Sequence, residues 1–167
     1  MTELQEAFQG TGTQLDRIID ALERKKPADL SKTRVYLKDG TIEERDVVGT
    51  FTYEFWDADG GRNPKYYNSQ TGECLVNTIE LGNTVTAVAD GGLIYLAVPD
   101  VVIPKSVVSI EDGSLGGPGT INITFLERTK AEANHLYFFY AWVNSDTVVH
   151  CTDGDMGWDD FPTTPET

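Results

Sequence analysis

The sequence predicts a mainly β fold, an antiparallel β-sandwich or barrel (jelly-roll-like) preceded by an N-terminal amphipathic helix. Three observations carry this. About nine short runs rich in β-branched and aromatic residues follow one another from Arg34 to Cys151, divided by turn residues such as Asp39-Gly40, Gly82-Asn83 and Asp90-Gly91. No helical apolar period interleaves them, which favours strands packed on strands. Only the start of the chain carries a period near 3.6 residues, with Leu15, Ile18, Ile19 and Leu22 at i, i+3, i+4 and i+7. No internal repeat is visible.

The helix is expected to end at Lys26. Thr13 suits the N-cap, Asp16 the capping-box position, Lys25 and Lys26 the negative end of the dipole, and Pro27 the stop. Leu4 and Phe8 extend the apolar seam upstream, although Gly10 and Gly12 weaken the turn between. Four segments follow: 1–26 as an oligomerisation or docking helix, 27–32 (PADLSK) as a linker, 33–151 as the β-domain, and 152–167 as a loosely held acidic tail.

Within the β-domain, 34–38 and 41–45 read as a hairpin closed by a type I′ turn at Asp39-Gly40. The segments 47–55, 75–80, 84–89, 93–98 and 101–110 read as further strands, with Pro104 marking the last as an edge or a bulge. Residues 120–126 alternate, with Ile121, Ile123 and Phe125 on one face and Asn122 and Thr124 on the other. Residues 136–143 (LYFFYAWV) are apolar on both faces and read as the central strand; 146–151 ends the sheet.

Charge narrows the function classes. The 167 residues carry a net charge of -14, yet up to Arg34 six acids balance six bases, so the β-domain and the acidic tail together hold the excess. A surface of that sign repels phosphate backbones and excludes nucleic acid as a partner. No apolar run approaches the ~20 residues of a membrane helix, and the start has no basic, apolar leader, so no membrane association is expected. Cys74 and Cys151 match no zinc or redox spacing and read as small hydrophobes.

Chemistry is sparse. The two histidines, His135 and His150, sit in no catalytic motif, and there is no phosphate loop, nucleophile elbow or zinc-binding helix, so no catalytic residue is assigned. A glycan hydrolase with a carboxylate pair stands as one alternative, because acids are abundant. Asp57/Asp59 and Asp153/Asp155 could hold Ca2+, though acidic glycine turns are more often only turns. Trp56, Tyr66 and Tyr67 crowd a polar loop and suggest the leading alternative, a carbohydrate-binding module in which rings stack on sugars, although Trp56 and Tyr67 read more readily as a roof over the core or a subunit interface. Asn122-Ile123-Thr124 matches a glycosylation sequon by pattern only.

The seam of Leu4, Phe8, Leu15, Ile18, Ile19 and Leu22 is the leading functional feature: it could pack back on the β-domain, but opposite charges lace its flanks as in self-pairing helices. This opening (TELQEAFQGTGTQLDRIIDALERKK) ahead of an acidic β-domain resembles the small virion proteins of tailed bacteriophages: tail-fibre and baseplate attachments and capsid decoration proteins. The resemblance implies a non-enzymatic virion subunit, assembled in the host cytoplasm and present in several copies, most simply a homotrimer. Its partners would be other virion components and a host-surface glycan, with no cofactor. No site residue carries over, because the resemblance lies in the general plan and in no motif.

Overall fold

The computed structural model describes residues 29–165. The N-terminal helix and its seam, Leu4, Phe8, Leu15, Ile18, Ile19 and Leu22, lie outside the described residues. Within them the chain is mainly β. Its strands are β1 (Thr33–Leu37), β2 (Ile42–Arg45), β3 (Gly49–Phe51), β4 (Asp57–Ala58), β5 (Gly61–Arg62), β6 (Tyr67–Asn68), β7 (Glu73–Cys74), β8 (Val76–Glu80) and β9 (Val85–Val88). They continue with β10 (Asp100–Ile103), β11 (Ser109–Ile110), β12 (Asn122–Phe125), β13 (Val148–Cys151) and β14 (Gly154–Met156). Two helices, α1 (Lys130–Leu136) and α2 (Phe139–Trp142), precede β13.

The main sheet has seven strands in the order β14-β13-β12-β10-β8-β1-β2, and a second has three, β11-β9-β3. The expectation of an antiparallel fold is corrected here. Strands β8, β10, β12 and β13 run parallel, as do β3, β9 and β11. In these two sheets antiparallel pairing is confined to the ends, where β1, β2 and β14 add on. Alternation reports which face of a strand is buried and is silent on the direction of its neighbour, so the sequence pattern did not separate the two cases.

The parallel strands arise because the chain coils. From β8 it passes to β9 in the other sheet, returns as β10, crosses again as β11 and returns as β12. Each of the first two circuits takes 22 residues: Thr78 pairs with Asp100 and Asp100 with Asn122, while Val88 pairs with Ile110. The repeat that was not visible in the sequence is therefore present as a solenoid. It survives mainly in buried columns: Ile79, Val101 and Ile123; Leu81, Ile103 and Phe125; Leu93, Leu115 and Tyr137. Around them the exposed residues are free to differ, which hides the period.

One column crosses the main sheet. Val35, Ile79, Val101, Ile123, Val149 and Met156 are successive register partners, each at most 2% exposed. Burying such a side chain stabilises by roughly 1.5–3 kcal/mol, against about 0–1 kcal/mol for a surface ion pair. The column therefore outweighs the exposed bridges Lys32–Asp46 and Lys38–Glu73.

Residues 136–143 are not the central strand. They span the end of α1 and all of α2, with Tyr137 and Phe139 buried beside Phe125 and Phe161. An apolar run fits a buried helix as well as a strand, and the deciding signal is Thr129. Its side chain accepts from the Glu132 N–H while Glu132 accepts from the Thr129 N–H, a complete capping box.

The flanking segments differ from expectation as well. Residues 29–32 are bound to the coil rather than a free linker: Asn83 N–H donates to the Leu30 carbonyl and the Thr84 hydroxyl to that of Ser31. Gly82 permits this, since a Cβ there would stand 2.3 Å from the Ser31 oxygen. The tail from 152 to 165 is not loose, because β14 closes the sheet edge and Met156 and Phe161 enter the core. Asp39-Gly40 belongs to a three-residue loop in which only Gly40 is left-handed, whereas at Asp59-Gly60 both residues are, as a type I′ turn requires.

Candidate functional site

The outward face of the main sheet collects side chains that the sequence scatters over a hundred residues. Two rows follow from the register. One runs Tyr36, Thr78, Asp100, Asn122, Val148; the next runs Glu44, Arg34, Glu80, Val102, Thr124, His150, Asp155. Polar groups on these rows are joined to one another. Arg34 donates to Glu44 at 2.6 Å, Tyr36 to Glu80 at 3.2 Å, and Asn122 Nδ2 to Asp100 Oδ1 at 2.7 Å. His150 lies 2.8 Å from Asp155 Oδ1 through Nδ1 and 2.8 Å from Asn122 Oδ1 through Nε2.

These contacts fix the side chains relative to one another. Asn122 spends its amide donor on Asp100, so it turns its oxygen to the ring, and both nitrogens of His150 face acceptors. A hydroxyl nucleophile would need Nε2. Thr124 is the register partner of His150, yet Nε2 is engaged by Asn122 instead. Burial pushes up the Tyr36 phenol, with the Glu80 carboxylate adding to the effect, so the phenol keeps its proton as a donor. Among the described residues no group of three or more His, Cys, Asp or Glu is disposed to hold a metal ion.

At the foot of this face lies a hollow of about 310 Å³ walled by Leu30, Lys32, Arg34, Val102 and Leu126. Asp29 also lines it.

The residues named for ligand binding are not brought together on the surface. Trp56 is fully buried, donating its indole N–H to the Gly92 carbonyl at 2.8 Å, and Tyr66 is buried in contact with Trp56 and Phe55. An aromatic next to glycine and asparagine looks exposed in sequence, but here two small hairpins, β4–β5 and β6–β7, fold over these rings as a roof for the core. Tyr67 alone stays partly accessible. Beside it Arg62 lies over the Tyr67 ring at 4.4 Å and the Tyr95 ring at 4.5 Å, and Tyr53 packs on Tyr95 at 5.6 Å.

The acids named for Ca2+ fall into two places. Asp57 and Asp59 flank the start of the tight β4–β5 turn, Asp153 accepts from the Lys130 backbone, and Asp155 is the partner of His150. Cys74 and Cys151 are free thiols, each raised in pKa by burial. No sequence motif joins Asp100, Asn122, His150 and Asp155 as one group. The signal that would have found part of it is the 22-residue offset between Asp100 and Asn122.

Compared with protein-family models, with curated proteins and with solved structures, the chain finds no match. No helix among the described residues is long and apolar enough to cross a membrane.

Proposed function

We propose that this chain is a non-enzymatic attachment subunit in which a closed solenoid is displayed behind an N-terminal assembly segment. The observation that carries the reading is the closure of the main sheet. Both edges are made of charged antiparallel strands, Ile42–Arg45 (IEER) and Gly154–Met156 (GDM), which discourage strand-to-strand association between copies. The net charge of -14 adds repulsion between bodies. Copies then need another contact, and the seam of Leu15, Ile18, Ile19 and Leu22 has the spacing for one. In this reading the subunit is a homotrimer on a bacteriophage virion, as a tail or capsid-decoration component, with the polar face and its rim turned outward to a host surface.

Light scattering on the full chain tests it. The expected mass is three times that of the 18.4 kDa monomer, falling to one copy in the Ile18→Asp/Leu22→Asp variant with the thermal transition of the body retained. A wild-type chain that is monomeric at tens of micromolar defeats assembly through the seam.

A further inference from the structure

We propose that Arg62, with Tyr53, Tyr67 and Tyr95, forms a binding site for the carboxylate of an acidic sugar. The inference rests on the attachment reading above and names the ligand class that such a subunit would engage.

The argument begins with how firmly Arg62 is placed. It sits in β5, one residue beyond the type I′ turn at Asp59-Gly60, and the Asn63 N–H donates to the Trp56 carbonyl at 2.8 Å to close that hairpin. Trp56 is fully buried, so the hairpin is anchored to the core. The guanidinium then lies over two rings from different parts of the chain, Tyr67 of β6 and Tyr95 of the turn that follows β9. Such contacts fix its plane, and a fixed guanidinium loses less entropy when a ligand seats on it.

Its donors are unspent. Among the described residues the side chain of Arg62 makes no ion pair and no hydrogen bond, although the protein has about twice as many acids as bases, 27 to 13. Lys32, Arg34, Lys38 and Lys65 each have a carboxylate partner, and Arg45 donates to the Phe55 carbonyl. Even Asp57, the cross-strand neighbour of Arg62, is not within ion-pair distance of it. An exposed guanidinium with a free fork is matched by a carboxylate, which takes two parallel N–H bonds.

The neighbouring ring selects the rest of the ligand. Tyr53 is 45% exposed and packs against Tyr95, one of the two rings under the Arg62 guanidinium, so a partly open ring adjoins that cluster. Rings of this kind stack on the C–H face of a pyranose, and a uronic or sialic acid carries that face and a carboxylate on one small unit. The charge of the body does not forbid an anion here, because exposed charges are screened beyond about 8 Å at physiological ionic strength.

Titration calorimetry on the full chain tests the site with tetragalacturonate and 3′-sialyllactose. The methyl-esterified tetragalacturonate serves as the uncharged sugar and tetraglutamate as the carboxylate without a sugar. Saturable binding of either acidic sugar, weakened about tenfold or more by esterification and by Arg62→Gln, is the expected result. Which of the two binds separates uronate from sialate. Arg62→Lys keeps the charge but not the fork and should also weaken binding, and Tyr53→Ala should do so without altering the melting transition. The proposal is overturned if neither acidic sugar binds, if the ester binds as tightly, if Arg62→Gln changes nothing, or if tetraglutamate binds as well as the sugars. The wild-type arms do not depend on any variant folding. A monomer by light scattering with sugar binding intact would remove the assembly reading and leave the site.

Discussion

Residues 107–110 and 129–132 occupy the same place in consecutive turns of the coil, yet the first lead into β11 and the second open α1. The register of the main sheet is kept on either side, since Asp100 pairs with Asn122 before the divergence and Asn122 with Val148 after it. Local chemistry decides the difference. Val107, Val108 and Ile110 are β-branched and favour the strand, whereas Thr-Lys-Ala-Glu supplies a cap, good helix formers and a reciprocal acid. The third circuit is then four residues longer than the second, 26 against 22, which leaves room for α2. A solenoid of this kind thus tolerates a change of secondary structure on one side provided the sheet columns continue.

The largest test of that statement is Tyr137, where the helical circuit rejoins the column of Leu93 and Leu115. Its ring is buried and its hydroxyl donates to the Leu115 carbonyl at 3.0 Å while accepting the Leu115 N–H at 3.3 Å. Tyr137→Ala should cost about 3–5 kcal/mol in chemical denaturation, through lost burial and an unfilled cavity. Tyr137→Phe keeps the ring and strands the Leu115 amide, for a smaller loss of roughly 1–3 kcal/mol. If Leu93→Ala, in the all-strand circuit, proves far costlier than Tyr137→Ala, the two circuits are not equivalent supports.

A second test concerns how the coil is entered. Gly82→Ala places a Cβ 2.3 Å from the Ser31 oxygen, against the backbone of Ser31 and Lys32, and should destabilise by roughly 1–3 kcal/mol. Gly61→Ala is the matched control. No atom lies within 4 Å of its Cβ and its backbone is not left-handed, so the change should be neutral or slightly stabilising. Equal effects in thermal melts would show that residues 29–32 do not lean on the coil.

Thr129 tests the switch itself. Thr129→Ala removes the cap and should cost about 1 kcal/mol. Thr129→Val restores the residue type of Val85 and Val107 at this place in the circuit, yet should cost a similar amount, because Lys130 to Leu136 still form a helix. A stabilising Thr129→Val would mean that the column, and not the cap, governs this corner.

These contrasts also mark what was legible in the sequence. Strands β1, β8, β9, β12 and β13 were readable because each alternates or is rich in β-branched residues between turns. Their direction was not, because period two is the same in parallel and antiparallel sheets. The repeat was masked for a related reason. At a given column Ile79, Val101 and Ile123 are interchangeable by size, and Leu115 gives way to Tyr137, so apolar identity drifts while burial is kept. Trp56 is the roof over the core that its sequence favoured, while Tyr66 looked open because that roof is made of polar hairpins whose outer faces look like loop. The polar chain from Asp100 to Asp155 needed the register before its members could be seen as neighbours, and Arg62 needed Tyr95, more than thirty residues away, to be noticed at all.

The smallest expected effect is the dependence of the helical circuit on pH. Glu132 is held below the ordinary carboxylate range, first by the Thr129 N–H it accepts from and then by the Thr129 hydroxyl, with Lys105 and Arg128 adding attraction. A carboxylate with a depressed folded value stabilises the fold above its unfolded value, ~4.3, and that contribution fades as the pH falls through the lower folded value. Asp29 and Asp39 are depressed as well, by hydrogen bonds from Ser31 and Thr41, so acid should weaken the whole protein. The difference between wild type and Glu132→Gln isolates the cap. It should be constant between pH 6 and 8, shrink below about pH 4.3, and vanish once Glu132 is protonated in the folded state. Melting temperatures of the two proteins across that range measure it, and a gap that persists undiminished at pH 2 would show that Glu132 acts through its shape and not its charge.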